Sequence, residues 1–257
     1  MKNTRRTVAY PALALACTFF VVQDPKLGYD DTPIIPDSEW HVHDGMRPQP
    51  KVVSAPTMGA PSDATVLFDG SDMDEWDKSW KVADGHMEVN GNGSITTKRS
   101  FGDCQLHLEF ATPAEVKGDG QGRGNSGIHF MGVYEVQILD SFENQTYPDG
   151  QCGSLYGQCP PLVNVSRGPG EWQSYDIVFK APRFNGDELE RPASVTVFQN
   201  GVCVHAEREF IGLTRHRDVA KYTDTKTTGP IGLQDHGNPM RFRNVWVRPL
   251  GEYDAGS

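Results

Sequence analysis

Residues 104–110 read Cys-Gln-Leu-His-Leu-Glu-Phe, a strict alternation of apolar and polar side chains. Successive side chains of a β-strand point to opposite faces of the sheet. The alternation therefore predicts a half-buried strand with Leu106, Leu108 and Phe110 against a core. The three polar side chains between them face outward.

Short runs of the same kind recur on both sides of this strand, separated by clusters of Gly, Asn, Asp and Pro. Asn200-Gly201 joins two of them and favours a two-residue hairpin, because both positions tolerate positive φ. With 27 Gly and 18 Pro among 257 residues, long helices cannot dominate. We predict an all-β fold, a jelly-roll β-sandwich of two antiparallel sheets. The runs are 66–68, 80–82, 86–89, 94–97, 126–131, 133–139, 175–180, 193–199, 202–208, 231–233 and 245–248.

The charge and the apolar pattern limit the partners. The formal net charge is −10 at pH 7. Proteins that bind nucleic acid need a basic face that releases counterions, so this balance argues against nucleic acid. Beyond residue 22 no apolar run reaches the roughly 18–20 residues of a transmembrane helix, so none is expected in the mature chain. Neutral ligands, carbohydrates among them, remain open.

The first 22 residues have the pattern of a secretory signal. Three basic residues precede an apolar stretch over residues 7–22, and a basic head before a short apolar run is typical of such signals. Cys17 directly follows Ala14-Leu15-Ala16, so lipid attachment at Cys17 is a second interpretation and an uncleaved anchor a third. We expect a secreted or periplasmic protein, lipid-anchored in the second case.

After residue 22 the sequence predicts an arm and one domain. Residues 23–63 hold seven prolines and little apolar periodicity. Such a composition is typical of an extended arm or linker. The strand-like runs fill the remainder, so we predict the jelly-roll domain over residues 64–251.

Four cysteines lie beyond the signal. An even number in an exported chain suggests disulfide bonds. Cys152 and Cys159 enclose six residues of loop, and we predict a bridge between them. Cys104 and Cys203 lie in strand-like runs, where a second bridge and two buried free thiols are alternatives.

Five phrases stand in order along the chain: Leu67–Met73, Gly124–Ile128, Tyr134–Asp140, Gly170–Gln173, and Gly229–Gly237 with Phe242–Val245. Together they resemble the 3-keto-disaccharide hydrolase family. The resemblance implies a concanavalin-like jelly roll of the kind found in legume lectins and laminarinase-type glucanases. It also implies an exported enzyme acting on glycosides whose sugar C3 hydroxyl has been oxidised to a ketone.

A ketone at C3 acidifies the proton at C2. A base can then remove that proton, the glycosidic oxygen at C1 can leave, and water can add afterwards. Such a reaction needs a base, an acid for the leaving oxygen, and a hydrogen-bond donor or positive charge at the enolate oxygen. A divalent metal ion is one candidate for the last role, and no other cofactor is implied.

The run Tyr134–Asp140 supplies the first catalytic candidates. Because successive side chains of a strand alternate between its two faces, Glu135 and Gln137 lie on one face and the apolar side chains of the run lie on the other. Asp140 rejoins the first of these faces if the strand bends after Ile138. We predict that Glu135 and Asp140 are catalytic and that Gln137 binds substrate, with a polar outer face without chemistry as the alternative. The order resembles the two-carboxylate strand of laminarinase-type glucanases, with Gln in place of the middle acid.

The remaining candidates lie on loops and other strands. His236 follows a short strand and is the third catalytic candidate, for proton transfer or metal ligation. His129 faces outward on its strand and is a further candidate. Substrate contacts are expected from Arg123 and Asn125 in a Gly-rich turn and from Glu109 on a polar strand face. Further contacts are expected from Tyr156 in the loop between two cysteines and from Gln234 before His236. Structural roles for the same side chains are the alternative.

Three functions are compatible with these residues. The first is an exported enzyme that cleaves 3-keto-glycosides by elimination and hydration, using groove carboxylates with His236. The second is a non-catalytic, lectin-like carbohydrate-binding protein. The third is a conventional glycoside hydrolase, which needs two carboxylates at a defined separation. Convergence of the carboxylates with His236 and Arg123 favours catalysis, and their scatter favours binding.

Overall fold

A computed structural model of the protein describes residues 27–251. The chain divides into two units, one up to Lys51 and one from Val52. Within the described part of the first unit the chain turns back on itself, with a bridge between Ile34 and His41 and a hydrogen bond from the Tyr29 N–H to the His43 carbonyl oxygen. The strands named below all belong to the second unit.

Fourteen strands occur in the described residues: β1 (Thr65–Phe68), β2 (Lys81–Ala83), β3 (His86–Glu88), β4 (Ile95–Phe101), β5 (Cys104–Ala111), β6 (Asn125–Phe130), β7 (Tyr134–Leu139), β8 (Trp172–Lys180), β9 (Arg183–Asn185), β10 (Glu188–Arg191), β11 (Ser194–Gln199), β12 (Val202–Glu209), β13 (Gly229–Leu233) and β14 (Arg241–Pro249). The helical structure in the same residues consists of two 3-10 turns, at Gly120–Gly122 and Pro148–Gly150. The predicted all-β class is confirmed.

The strands form two main antiparallel sheets. The larger has the order β12-β11-β8-β5-β14-β3-β2, with β1 also paired to β14, and the smaller has the order β4-β13-β6-β7. Phe130 of β6 stacks on Phe179 of β8 with ring centroids 4.6 Å apart, so the sheets pack face to face. This is the predicted jelly-roll sandwich.

Strand β5 shows why the alternating sequence produces this fold. Leu106, Leu108 and Phe110 are all fully buried, while the residues between them are half-buried on the outer face of the large sheet. Burying apolar surface contributes about 25 cal/mol per Å², and a one-residue slip of register would expose all three side chains. The alternation therefore fixes both the register and the face.

Strand β7 departs from this pattern because its polar as well as its apolar side chains are buried and its free edge is paired. All six of its residues are buried. Along the edge, the Gln137 N–H donates to the Ser154 carbonyl oxygen at 2.9 Å, and the Gly153 N–H donates to the Gln137 carbonyl oxygen at 2.9 Å. The Glu135 N–H donates to Thr214 Oγ1 at 3.0 Å. Two loops therefore enclose the polar side chains of β7 and keep its edge paired.

The hairpin of β9 and β10 was not among the predicted strands. Its residues are half-buried or exposed, so the sequence lacks the alternation that marks a core strand. Asn185 pairs with Glu188 across a two-residue loop, and Gly186 in that loop has φ of 59°. The β9–β10 hairpin is therefore stabilised by the conformation of its turn and not by burial of apolar side chains.

The predicted disulfide bond between Cys152 and Cys159 is wrong, because both cysteines are free. The Cys152 sulfur points into the core and lies 3.1 Å from the Tyr175 hydroxyl, where burial raises the pKa of the thiol. Cys159 lies at the loop surface, half-buried. Backbone hydrogen bonds between Leu155 and Cys159, of 2.9 and 3.0 Å, close the loop in place of a disulfide. Cys104 and Cys203 are also free.

The predicted signal over residues 1–22, including Cys17, lies outside the described residues. Signal, lipid attachment and compartment therefore stay predictions. Among residues 27–251, no helix has the length and apolar character needed to cross a membrane.

His205 is expected to make the domain less stable in acid. The side chain is 2% exposed, and its Nε2 lies 2.9 Å from the Gly153 carbonyl oxygen. Burial lowers the pKa of His205, so below about pH 6.5 the unfolded chain takes up this proton more readily than the folded one. The contribution of neutral His205 to the free energy of unfolding is therefore fully present above about pH 6.5. It decreases as the pH falls toward the lowered pKa of His205.

Melting temperatures of the wild type and His205→Gln between about pH 7.5 and about pH 5 check this expectation. The glutamine side chain keeps a donor for Gly153 but does not titrate. We expect a smaller acid-induced decrease in the variant, and identical decreases in both proteins would contradict the expectation.

Candidate functional site

A groove lies on the outer face of the small sheet. Its floor is formed by β6 and β7, and its walls come from the two loops that cover β7 and from the segment after β13. The cavity has a volume of about 570 Å³, which is within the range of small-ligand sites. Its polar lining consists of Gln121, Asn125, His129, Glu135, Gln137, Tyr147, Tyr156, Arg215, His216, Gln234 and His236, with Thr214.

Glu135 and His129 form a pair on the groove floor. They are direct partners across the β6–β7 ladder, and Glu135 Oε2 lies 3.5 Å from His129 Nε2. The Glu135 side chain is 6% exposed and that of His129 is 23% exposed. The imidazole is thus the more accessible member, and the carboxylate beneath it can stabilise an imidazolium.

Gly127 provides the space in which the Glu135 carboxylate lies. A Cβ added to Gly127 would be 2.4 Å from Glu135 Oε1 and 3.1 Å from Glu135 Cδ, so no larger residue fits beside the carboxylate in its present position. In the amide orientation that satisfies both neighbouring acceptors, the Gln137 NH₂ donates to the Ser126 carbonyl oxygen at 2.7 Å and to Glu135 Oε1 at 3.2 Å. Gly127 and the Gln137 amide therefore adjoin the carboxylate on two sides.

An aromatic cluster of Tyr147, Tyr156 and His216 forms the wall on the other side of the groove. The Tyr156 hydroxyl lies 2.7 Å from the Tyr147 hydroxyl and 3.1 Å from His216 Nδ1. The rings of Tyr156 and His216 are stacked, with centroids 6.3 Å apart. Burial raises the pKa of Tyr156, and the Tyr147 hydroxyl and the charge of Glu135 add to the effect. The phenol is therefore neutral across the physiological pH range.

The segment after β13 brings the predicted His236 and Gln234 to the groove. The Gln234 N–H donates to the Gly127 carbonyl oxygen at 2.9 Å, and the Ser126 hydroxyl donates to the Gln234 carbonyl oxygen at 2.7 Å. These bonds hold the segment against β6. His236 is exposed at the rim, where its ring is accessible to a ligand.

Asn125 is 3% exposed at the groove end of β6. Its N–H donates to Asn238 Oδ1 at 2.9 Å, and its Nδ2 donates to the Gln121 carbonyl oxygen at 2.7 Å. Seven of the ten candidate residues named from the sequence thus meet in this groove: Glu135, His129, His236, Asn125, Gln137, Tyr156 and Gln234.

Asp140 and Arg123 lie elsewhere. Arg123 Nε donates to Asp140 Oδ2 at 2.7 Å, with side chains 13% and 2% exposed, and Arg123 Nη2 donates to the Phe142 carbonyl oxygen at 2.9 Å. The pair lines a separate cavity of about 290 Å³. The prediction that Asp140 and Arg123 join Glu135 at one site is wrong: the Asp140 carboxylate pairs with the Arg123 guanidinium in the other cavity.

Asp140→Ala is expected to lower the free energy of unfolding by about 3 kcal/mol, because it leaves the buried Arg123 charge without its partner. In an Arg123→Ala background the same substitution costs at least about 1 kcal/mol less. Denaturant unfolding of the two single variants and the double variant measures this coupling. If Asp140→Ala kept wild-type stability but lost turnover, Asp140 would be a catalytic residue after all.

Glu109 is also misplaced by the sequence prediction. Its strand, β5, belongs to the large sheet, and its side chain faces outward on the sheet that does not form the groove. There Glu109 Oε2 lies 2.7 Å from Arg243 Nη2, and Glu109 Oε1 accepts a hydrogen bond from Asn244 Nδ2 at 3.0 Å. Period two gives the face of a strand, but it does not tell which sheet the strand joins.

With the groove described, comparison with known proteins identifies the family. Residues 63–248 match the profile of the 3-keto-alpha-glucoside-1,2-lyase-like domain. The chain belongs to this family. The phrases that suggested the resemblance include β7 and the first four residues of β6, two strands that form the floor of the groove.

Three relatives show how the similarity is distributed. A 3-keto-disaccharide hydrolase of Bacteroides thetaiotaomicron is 22% identical over 254 residues, covering 72% of this chain and 77% of that protein. A crystal structure from Parabacteroides distasonis, of a protein provisionally described as a glycosyl hydrolase, is 43% identical. It covers 79% of this chain and 93% of that chain, with a TM-score of 0.76. A second structure from that organism, with the same description, is 23% identical, covers 73% of this chain and 99% of that chain, and has a TM-score of 0.55; it shows the fold alone.

Five polar groove residues of this family member were not predicted from the sequence: Gln121, Tyr147, Thr214, Arg215 and His216. All five lie outside the strands, so no periodicity assigns them a face. The run Thr214-Arg215-His216-Arg217 was the available signal, since it is a dense polar stretch between β12 and β13. Loops placed by a rigid sheet commonly contribute binding residues.

The sequence did not decide whether a divalent metal ion binds at the site. Across residues 27–251, no group of three or more His, Cys, Asp or Glu side chains is arranged to hold one. Glu135 and His129 are two such donors on the groove floor. A divalent metal ion at the enolate oxygen therefore stays a prediction.

Proposed function

We propose that this protein cleaves glycosides whose sugar ring carries a ketone at C3, by removing the C2 proton and eliminating the substituent at C1. The family and the name of the Bacteroides relative support the substrate class. The observation on which the proposal rests is the Glu135–His129 pair, which places a proton acceptor on the floor of a small-ligand groove.

The pair acts as one base. His129, the more exposed member, takes the C2 proton, and the Glu135 carboxylate stabilises the resulting imidazolium. Electrons from the C–H bond delocalise onto the ketone oxygen as an enolate, which then forms the C1–C2 double bond and regenerates the ketone as the C1–O bond breaks. His236 at the rim donates a hydrogen bond to the ketone oxygen, where negative charge develops. Water then adds across the double bond and gives the free 3-keto sugar.

The carboxylates of the groove favour elimination over conventional glycoside hydrolysis. Retaining and inverting hydrolases generally use two carboxyl groups that flank the scissile bond. Among the described residues that line the groove, Glu135 is the only carboxylate, and Asp140 is paired with Arg123 in another cavity. A reaction that needs one carboxylate-supported base fits this lining.

Export belongs to the same proposal and rests on the sequence of residues 1–22. Cell fractionation and the mass of the mature chain test it. A chain that begins near residue 23 in the periplasm or medium supports a cleaved signal, and a lipid-modified Cys17 supports an anchored form. A chain that retains residue 1 in the cytoplasm contradicts export.

Turnover of a 3-keto-glucoside and of its unoxidised parent by the purified protein tests the proposed activity. We expect cleavage of the ketone and none of the parent. Cleavage of both would indicate ordinary hydrolysis. Saturable binding of the ketone without cleavage would support the lectin-like alternative, for which the exposed Tyr147 and the half-buried Tyr156 could form a sugar platform.

A further inference from the structure

The groove continues into a second cavity beyond the aromatic cluster. This distal basin has a volume of about 620 Å³. Five residues line both cavities: Gln121, Tyr147, Tyr156, Arg215 and His216. The basin adds Asp149, Gly157, Arg217 and Asp218. Tyr156 therefore lines both the groove that contains the base pair and the distal basin.

Elimination from C1 has a second proton requirement that the base does not meet. A sugar or alkyl alkoxide is a poor leaving group, so the glycosidic oxygen must receive a proton as the C1–O bond breaks. The donor has to lie between the space for the keto sugar and the space for the departing alcohol. Of the groove side chains with an acidic proton, Tyr156 occupies the boundary of the two cavities together with Tyr147 and His216.

We propose that Tyr156 donates its hydroxyl proton to the leaving oxygen and that the distal basin holds the leaving group, a sugar or another polar alcohol. This inference rests on the proposed function. The C2 proton goes to the Glu135–His129 pair, the C1–O electron pair goes to the leaving oxygen, and the Tyr156 proton completes the released alcohol.

A general acid must hold its proton before the reaction and recover a proton afterwards, and the surroundings of Tyr156 allow both. Its raised pKa keeps the proton in place before the reaction. Afterwards the phenolate can recover a proton from solvent through His216, whose Nδ1 is 3.1 Å away and whose side chain is exposed.

Tyr156→Phe tests the proposal with two 3-keto-glucosides that differ in leaving group. One releases a weakly acidic alcohol such as methanol or a sugar, and the other releases 4-nitrophenol, which departs without protonation. We expect kcat on the first to fall by at least about 10²-fold, and kcat on the second to stay within about 3-fold of the wild type. The melting temperature of the variant shows that it is folded.

The other possible outcomes of this experiment contradict either the general-acid role of Tyr156 or the proposed function. A large loss on both substrates means that Tyr156 positions the sugar or supports the groove, and overturns the general-acid role. Full activity on both substrates also overturns it. A wild-type protein that cleaves neither ketone contradicts the proposed function itself, which is a result distinct from any behaviour of the variant.

Discussion

Glu135→Gln is expected to lower kcat/KM for a 3-keto-glycoside by roughly 10³-fold while the protein remains folded. The amide has the shape of the carboxylate but cannot stabilise a protonated His129. Because the two residues act as one base, His129→Gln and the double variant should show losses of similar size, with little additivity. Steady-state kinetics of the three variants on one 3-keto-glycoside measure this pattern.

Glu109→Gln is the matched control for this substitution. It makes the same chemical change on the outer face of the large sheet, beside Arg243, and should leave kcat/KM near the wild-type value. If Glu135→Gln kept wild-type turnover, or if the losses of the single variants simply multiplied in the double variant, the paired base would be wrong.

Gly127→Ala is expected to cost about 10²-fold in turnover with only a small change in melting temperature. The added methyl group would meet Glu135 Oε1 at 2.4 Å, and the carboxylate, as the free end of a side chain, can move away. Stability therefore changes little, but a displacement of about 1 Å in a catalytic group can cost about 10²-fold in rate. The measurement is kcat together with a thermal unfolding curve.

Gly122→Ala provides the control, because a Cβ at Gly122 meets nothing within 4 Å. A second control comes from the Glu135→Gln background, in which Gly127→Ala should cost little further activity, since the residue it displaces is already inactive. A full additional loss in that background would show that Gly127 acts through something other than Glu135.

The sequence was sufficient for the fold because alternation and burial coincide. Leu106, Leu108 and Phe110 read as one face of a strand and are one face of β5. The Asn200-Gly201 turn joins β11 to β12 in the predicted hairpin. The β9–β10 hairpin was missed because it buries little and depends on its turn.

The site was predictable where a strand fixes the side-chain direction. Glu135 and Gln137 share a face of β7 by period two, and both line the groove. Asp140 follows the last residue of β7, where the chain turns toward Arg123, so period two no longer applies to it. His216 lies in a loop far along the chain from β7, and only tertiary packing brings it to the groove.

Deuterium at C2 of the released sugar distinguishes elimination from direct hydrolysis most directly. The 3-keto-glycoside is cleaved in D₂O, and the product is analysed by mass spectrometry and NMR beside authentic 3-keto sugar incubated for the same time. Proton removal at C2 followed by hydration predicts about one solvent deuterium at C2 in each product molecule, well above the non-enzymatic exchange of the authentic sugar. A product that keeps its original C2 hydrogen would contradict a base at Glu135 and His129 acting by elimination.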